Sequence, residues 1–564
     1  MSSEGAAPAT AAALPAENPN IAARLAERAA RHPGRLAIVE YRHGRARRFD
    51  FGELSARVAG FGAGLSRRGV IPGDAVLLFV PMSIDLYVAL LGTLHLGAIA
   101  VFVDAWADPA RLAAAVDATR PKAFVGVPRA HLLRVLNPAV RSIPIAVVAG
   151  RGLLSLDRFE RPGLAAPATE VSPGTPALVT FTTGSTGRPK AATRTHGFLW
   201  AQHEVLAEHL GITGTDIDMP ALPVFVLNNL AIGASSVLPD FDPRRPADID
   251  PGAIFAQMTA ERVTTTSGSP AFYERLAAWC AANGKRLAVR ALFTGGAPVL
   301  PPLARLLADT VEGQVHVVYG STEAEPIASI EAPEMLRAME ADSRRSSDAT
   351  RGGTPGEKSS AVAPEKEGGV CVGPPVPQID LRLIQPHDGP VALGPEGWSE
   401  WDVPRGEVGE VVVTGAHVLP AYRRDPEANR LNKIRDGGRS WHRTGDGGRL
   451  DEQGHLWLMG RVKQRVRRSD RVWWSMPAEV RALSVEGVRH AVYLGRPDPV
   501  LGQCAVLCVE VSGGRLTEAA ADHLRAALAP IPVDSIHALE HIPRDPRHRS
   551  KTDVGALSKM IESR

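Results

Sequence analysis

The chain has 564 residues, 44% apolar and 22% charged, with Lys+Arg at 64 against Asp+Glu at 61 for a formal charge of +3. One hydrophobic core fills at most about 250–300 residues, so two or more domains are expected. The near balance of charge excludes the basic footprint of a nucleic-acid binder, and 4 cysteines in such a length exclude a disulfide scaffold.

The first 20 residues, MSSEGAAPATAAALPAENPN, lack a basic start and a sustained apolar stretch. They read as a disordered tail, not a signal peptide. No uncharged apolar run reaches the roughly 18 residues a membrane span needs, so none is expected and the protein is placed in the cytoplasm. Residues 74–81 (DAVLLFVP) read as a buried strand, 83–97 as a helix from the spacing of its apolar residues, and 98–104 as the next strand. Strand–helix–strand implies a parallel sheet packed by helices, and the pattern recurs at KAFVGV, PIAVVA, ALVTFT, RALFTG and VHVVYG.

Residues 338–368 are polar and rich in Ser, Gly and charge, and read as a mobile surface insertion dispensable for activity. IDLRLI and GEVGEVVVTG then suggest a smaller β-rich subdomain. From about Gly460, the strands HAVYLG and QCAVLCVEV and the amphipathic helix LTEAAADHLRAAL outline a small α+β domain. Cys504 and Cys508 fall on its buried strand and, with Cys280 and Cys371, are expected as reduced thiols. The expected fold class is α/β. A large N-terminal domain (21–460) combines parallel sheets packed by helices with the β-rich subdomain, and a small α+β domain (461–564) follows.

The segment Leu178–Lys190 is the most informative. A β-branched strand runs into Thr182, Thr183, Gly184, Ser185, Thr186, Gly187, Arg188, Pro189 and Lys190. Glycines let the backbone N–H groups turn inward as an anion nest, hydroxyls add donors, and Lys190 supplies a point charge for a phosphate. The spacing is not that of a Walker A loop.

TFTTGSTGRPK resembles the signature loop of the adenylate-forming superfamily, which includes acyl-CoA synthetases, luciferases and the adenylation domains of peptide synthetases. Further segments match in order, and the resemblance runs from about residue 20 to 555. Gly295, Gly296, Ala297 and Pro298 are similar to the family's adenine wall. Val318–Glu323 resembles the next motif. It implies that Tyr319 stacks on adenine, that Gly320 and Ser321 bind the nucleotide beside it, that Thr322 touches the α-phosphate and that Glu323 helps to hold Mg²⁺. Trp441–Asp446 (WHRTGD) implies Asp446 as acceptor of the ribose hydroxyls. Gly460–Lys463 (GRVK) resembles the hinge before a mobile C-terminal lid, with Arg461 on ribose or phosphate. Lys551, in the run PRDPRHRSK, stands where the family carries its terminal catalytic lysine. The implied cofactors are ATP and Mg²⁺, and the implied partner is a small-molecule carboxylic acid; association with other enzymes of its pathway is left open.

Within the family, three features depart from common acyl-CoA synthetases. Val226 follows LPVF where those enzymes often carry a histidine; the post-hinge stretch RRSDRVWWSMPAEV has no glycine; and the terminal lysine sits in RHRSK. SVLPDFDP, GVCVG, WHR with LWLMGR, and DPRHRSK resemble instead the β-lactone synthetases of olefin biosynthesis. That resemblance implies a β-hydroxy acid, adenylated and then cyclised by its own hydroxyl. Two alternatives stand beside it: a ligase passing the acyl group to CoA or a carrier protein, and a non-catalytic nucleotide-binding protein, against which Lys190, Glu323, Asp446 and Lys551 argue. Trp473 and Trp474 either help to close the site or simply pack.

Lys551→Ala is expected to abolish nearly all acyl-adenylate formation in a folded protein, because one preorganised charged contact is worth about 3 kcal/mol of barrier. Pyrophosphate release measures it, and a near wild-type rate refutes the assignment.

Overall fold

The computed structural model describes residues 18–42, 44–103, 109–150, 155–156, 167–183, 189–242, 245–351, 368–468, 471–544 and 551–562. Residues 18–20, the end of the expected tail, belong to the fold. Asn20 is buried, caps helix Ile21–Arg31 by accepting from the Ala22 amide at 3.1 Å, and donates to the Leu94 carbonyl at 2.7 Å. Residues 1–17 lie outside the described residues.

Two mostly parallel sheets form the larger part of the chain, as the α/β expectation requires. The six-stranded sheet runs Ile145–Val148, Ala123–Gly126, Ala75–Phe79, Ile99–Phe102, Pro176–Thr183, Pro189–Thr195. Only its last pair is antiparallel. Strand Ala75–Phe79 is buried throughout, as a strand covered by helices on both faces must be. Helix Ile84–His95 follows it, started by Ser83, whose hydroxyl accepts from the Leu86 amide at 3.2 Å. The eight-stranded sheet has parallel inner strands, among them Thr265–Gly268, Ala291–Gly295 and Gln314–Ser321. Antiparallel strands close its two edges, one of them Ala324–Glu331.

A third sheet is antiparallel and carries Asp380–Ile384, Gly409–Thr414, Arg439–Leu450, Leu456–Arg461 and Val370–Gly373, the expected β-rich part. Beyond Arg461 a short hairpin, Val466–Arg468 with Arg471–Trp473, leads to a separate three-stranded sheet. Strands Val488–Asp498, Gly502–Val511 and Ser535–Leu539 build it, with a core of their own under helix Glu518–Leu528. Cys508 is buried on the middle strand, and none of the four cysteines forms a disulfide.

The segment 338–368 departs from its expectation. Its first part is the end of helix Ala332–Arg351, and Ala338 and Met339 pack on the core of the eight-stranded sheet. Asp342 pairs with Arg449 at 2.8 Å and accepts from the Gly368 amide at 2.9 Å. Composition pointed to a loop because the exposed face of this helix is polar; the few apolar and acidic anchors that hold it are invisible to an average. Residues 352–367 lie outside the described residues.

With Asp342 and Arg449 side chains only 15% and 10% exposed, removing one partner strands a charge. Asp342→Ala is therefore expected to cost about 3 kcal/mol of stability, read from urea unfolding. Deleting 338–368 as a block should cost at least as much; an unchanged unfolding midpoint for Asp342→Ala would show the pair to be superficial.

Candidate active site

The glycine-rich loop is a hairpin connection, not a strand-to-helix turn. Strand Pro176–Thr183 enters it, strand Pro189–Thr195 leaves antiparallel, and Thr182 lies opposite Lys190 in the register. Gly184, Ser185, Thr186 and Gly187 fall outside the described residues, but the ends of their loop are pinned by this pairing. Lys190 is buried at the exit.

Tyr319, Gly320, Ser321, Thr322 and Glu323 form the turn between Gln314–Ser321 and Ala324–Glu331, with a register shift between Tyr319 and Ser321. At Gly320 a Cβ would sit 3.1 Å from the Ala324 carbonyl oxygen, a tight contact that would push the turn apart slightly. Gly295 ends the neighbouring parallel strand opposite Val318, and a Cβ there would overlap the Val318 carbonyl. This close approach sets the end of the strand at Gly295 against Val318, the residue before Tyr319.

Asp446 reaches the turn from the third sheet. Tyr319 donates its hydroxyl to Asp446 Oδ2 at 2.8 Å, and Arg461 Nε pairs with Oδ1 at 3.0 Å. Asp446 and Arg461 are cross-strand neighbours, which explains the pairing. Burial and the adjacent Asp446 push the Tyr319 hydroxyl well above its ordinary range, and Asp446 raises Arg461. Both Asp446 oxygens are engaged, yet each has a second lone pair for a further donor.

Glu323 is held from the other side. The Tyr422 hydroxyl donates to Glu323 Oε1 at 2.8 Å, and the Leu419 amide donates to the Glu323 carbonyl at 2.7 Å. Lys190 Nζ and Lys433 Nζ lie 5.1 Å and 5.3 Å from the centre of the Tyr422 ring. Lys433 also donates to the Leu419 carbonyl. Burial lowers Lys433 to about 7 against the opposing pull of Glu323. Burial lowers Lys190 too, with Glu323 and Asp425 resisting and Lys463 adding to the depression. Burial alone would raise the Glu323 carboxyl; the Tyr422 hydroxyl and Lys433 oppose it and help to hold the group below the usual carboxylate range. His442 is itself pushed down to about 3, first by burial and then by Lys433.

Several contributors carried no signal in the sequence. Arg194 is buried, donates to the Thr322 carbonyl at 2.6 Å and to Thr180 Oγ1 at 3.0 Å, and so ties the strand after the loop to the turn. Tyr422 and Lys433 lie outside any recognisable spacing, and His442 lies inside WHRTGD but was given no role there. Arg443, inside WHRTGD, is a packing residue: it pairs with Glu410 at 2.6 Å and donates to the Gly389 carbonyl at 2.6 Å. Lys551 is exposed on the C-terminal unit, next to the Arg544–Thr552 bridge. Trp473 packs into the C-terminal core, and Trp474 lies on Gly447 with Met459 and Val462. Both tryptophans are buried packing residues.

The described residues hold no group of three or more His, Cys, Asp or Glu able to bind a metal by itself. Glu323, with one oxygen taken by Tyr422, fits a cation of the Mg²⁺ type that arrives on phosphates and takes one or two carboxylate oxygens from the protein. The surrounding lysines fit a polyanion.

A protein-family profile described as AMP-binding enzyme matches residues 25–423. The chain is 33% identical over 560 residues to the olefin beta-lactone synthetase of Stenotrophomonas maltophilia (strain K279a), covering 94% of this chain and 96% of that protein. It is also 33% identical over 524 residues to the olefin beta-lactone synthetase of Xanthomonas campestris pv. campestris, covering 89% of each. Among solved structures, ATP-bound MatB from Rhodopseudomonas palustris superposes with a TM-score of 0.76 at 23% identity, covering 97% of this chain and 99% of that one.

Asp446→Ala removes the acceptor shared by Tyr319 and Arg461. Hydrogen bonds to a charged group are worth roughly 1.5–3 kcal/mol each, so ATP affinity by calorimetry should fall by at least about tenfold. An unchanged titration would remove Asp446 from the nucleotide site.

Proposed function

The chain belongs to the AMP-binding enzyme family, and on that premise we propose that it activates a β-hydroxy carboxylic acid with ATP and closes the acyl-adenylate to a β-lactone. The observation that carries the first half is the cluster around one turn. Lys190, Glu323, Tyr319, Asp446 and Arg461 come from three sheets and meet there with a surplus of lysine charge. In this reading a substrate carboxylate oxygen attacks the α-phosphorus of ATP, the bond to pyrophosphate breaks, and the acyl-adenylate forms. Lys190 steadies phosphate charge, with Thr182, Thr183, Gly184, Ser185, Thr186 and Gly187 as the cradle. Asp446 and Arg461 orient the ribose, Tyr319 and residues 295–298 hold the base, and Lys551 enters with the C-terminal unit acting as a lid (461–564). Mg²⁺ held at Glu323 would neutralise phosphate charge.

The second half needs no added thiol. The β-hydroxyl oxygen attacks the acyl carbon, its proton leaves to solvent, and the bond to AMP breaks. A tethered nucleophile replaces a second substrate by proximity. The likeness to two olefin beta-lactone synthetases over 94% and 89% of the chain supports this reading. Local structure supports it as well. Val226, which stands where many ligases carry a histidine, is fully buried in the core. The Trp474 ring covers Gly447, the residue after Asp446, where a glycine-rich post-hinge stretch would leave space.

With ATP and a β-hydroxy acid, mass spectrometry should find β-lactone, AMP and pyrophosphate in amounts independent of CoA. The 3-deoxy analogue should release pyrophosphate but give no lactone. A thioester formed only when CoA is added would decide for the ligase reading.

A further inference from the structure

Between Thr414 and the helix Pro426–Asn432 the chain leaves the third sheet and crosses the seam between the other two. Val418 bridges to Ala324, and the Leu419 amide bonds the Glu323 carbonyl at 2.7 Å, on the side of the eight-stranded sheet. Three residues on, Tyr422 bridges to Ala192, and the Arg423 amide bonds the Ala191 carbonyl at 2.9 Å, on the strand that carries Lys190. Tyr422 is thus anchored to both halves of the site. Asn429 fixes its backbone on both sides, accepting from the Tyr422 amide at 2.7 Å and donating to the Tyr422 carbonyl at 2.9 Å.

The side chain repeats the connection. Its hydroxyl holds Glu323 Oε1, while its ring faces the ammonium groups of Lys190 and Lys433. Two like charges gather on one ring because its negative face attracts each of them and Glu323 offsets their repulsion. A tyrosine serving only as core filler needs neither the carboxylate nor the cations, and it needs no side-chain clamp on its backbone.

We propose that Tyr422 is a positioning residue of the adenylation site: its hydroxyl aims the free oxygen of Glu323 at the phosphate-bound cation, and its ring sets the place of Lys190. The inference rests on the adenylation half of the function above and is independent of what becomes of the acyl-adenylate. It separates two contributions that travel together in the intact site, cation binding through the hydroxyl and anion binding through the ring.

Tyr422→Phe keeps the ring and removes the donor; Tyr422→Leu removes both. Mn²⁺ can stand in for Mg²⁺, and its binding to the full-length protein with a non-hydrolysable ATP analogue is read by electron paramagnetic resonance. The Phe variant should shift the Mn²⁺ midpoint upward by about tenfold, the scale of one hydrogen bond to a charged group. Affinity for the metal-free analogue should stay within twofold of wild type, and pyrophosphate release should show the same shift in its Mg²⁺ dependence. The Leu variant should lose affinity for the metal-free analogue as well. A Phe variant with the wild-type Mn²⁺ midpoint overturns the proposal, as does one that loses metal and metal-free affinity equally. If the Phe variant does not fold, Asn429→Ala decides. It frees the Tyr422 backbone without touching the ring, so a raised Mn²⁺ midpoint supports the proposal and an unchanged one overturns it. Wild-type pyrophosphate release in the same assays tests adenylation itself, so its failure is distinguishable from a failure of this inference.

Discussion

Glu323 carries its charge half-buried at the meeting of three sheets, and that constraint organises the residues around it. A buried carboxylate survives as an anion only if donors and cations replace its hydration. Here the Tyr422 hydroxyl and the Lys433 ammonium do so, while the Leu419 amide fixes the backbone carbonyl of the same residue. These partners come from the crossing segment and the third sheet, so they exist only when three sheets meet. Holding the carboxylate ionised before any ligand arrives is electrostatic preorganisation.

The same logic extends outward. Arg194 satisfies the Thr322 carbonyl, Arg443 is enclosed by Glu410 and the loop at Gly389, and Arg449 is matched by Asp342. Each arginine brings a planar set of donors that can serve two or three acceptors at once, which suits junctions where loops end against sheets. The chain's preference for arginine over lysine therefore has a structural use. Lys190 and Lys433, by contrast, bring compact ammonium groups to the Tyr422 ring.

The passage into the C-terminal unit shows how the site is bordered. Arg461 closes the third sheet with its side chain on Asp446, and Trp474 seats itself on Gly447. Asp388 takes Arg465 and Arg467 from the other side. Trp474 thus rests on the strand that presents Asp446, while Arg465 and Arg467 are fastened to the loop at Asp388.

The sequence by itself determined the alternation of strands and helices, because buried parallel strands leave continuous apolar runs and their helices leave a helical period of apolar residues. It also determined the family and the ordered segments, since glycines, hydroxyls and single charges at fixed spacing are local properties of the chain. The segments that carry Tyr319, Glu323 and Asp446 stood out in this way, and the fold brings them together. What only the tertiary structure decided was who stands between them. Tyr422, Lys433 and Arg194 act through partners more than ninety positions away, as Tyr422 does on Glu323 and Lys433 on the same carboxylate, and nothing in their own neighbourhoods marks them. The helix end at 338–351 was hidden for the same reason: its polar composition described the face toward water, while Asp342 and Met339 found their partners across the fold. Local pattern records what a segment does with its own backbone; the pairing of buried charges is settled only when distant strands are brought to one place.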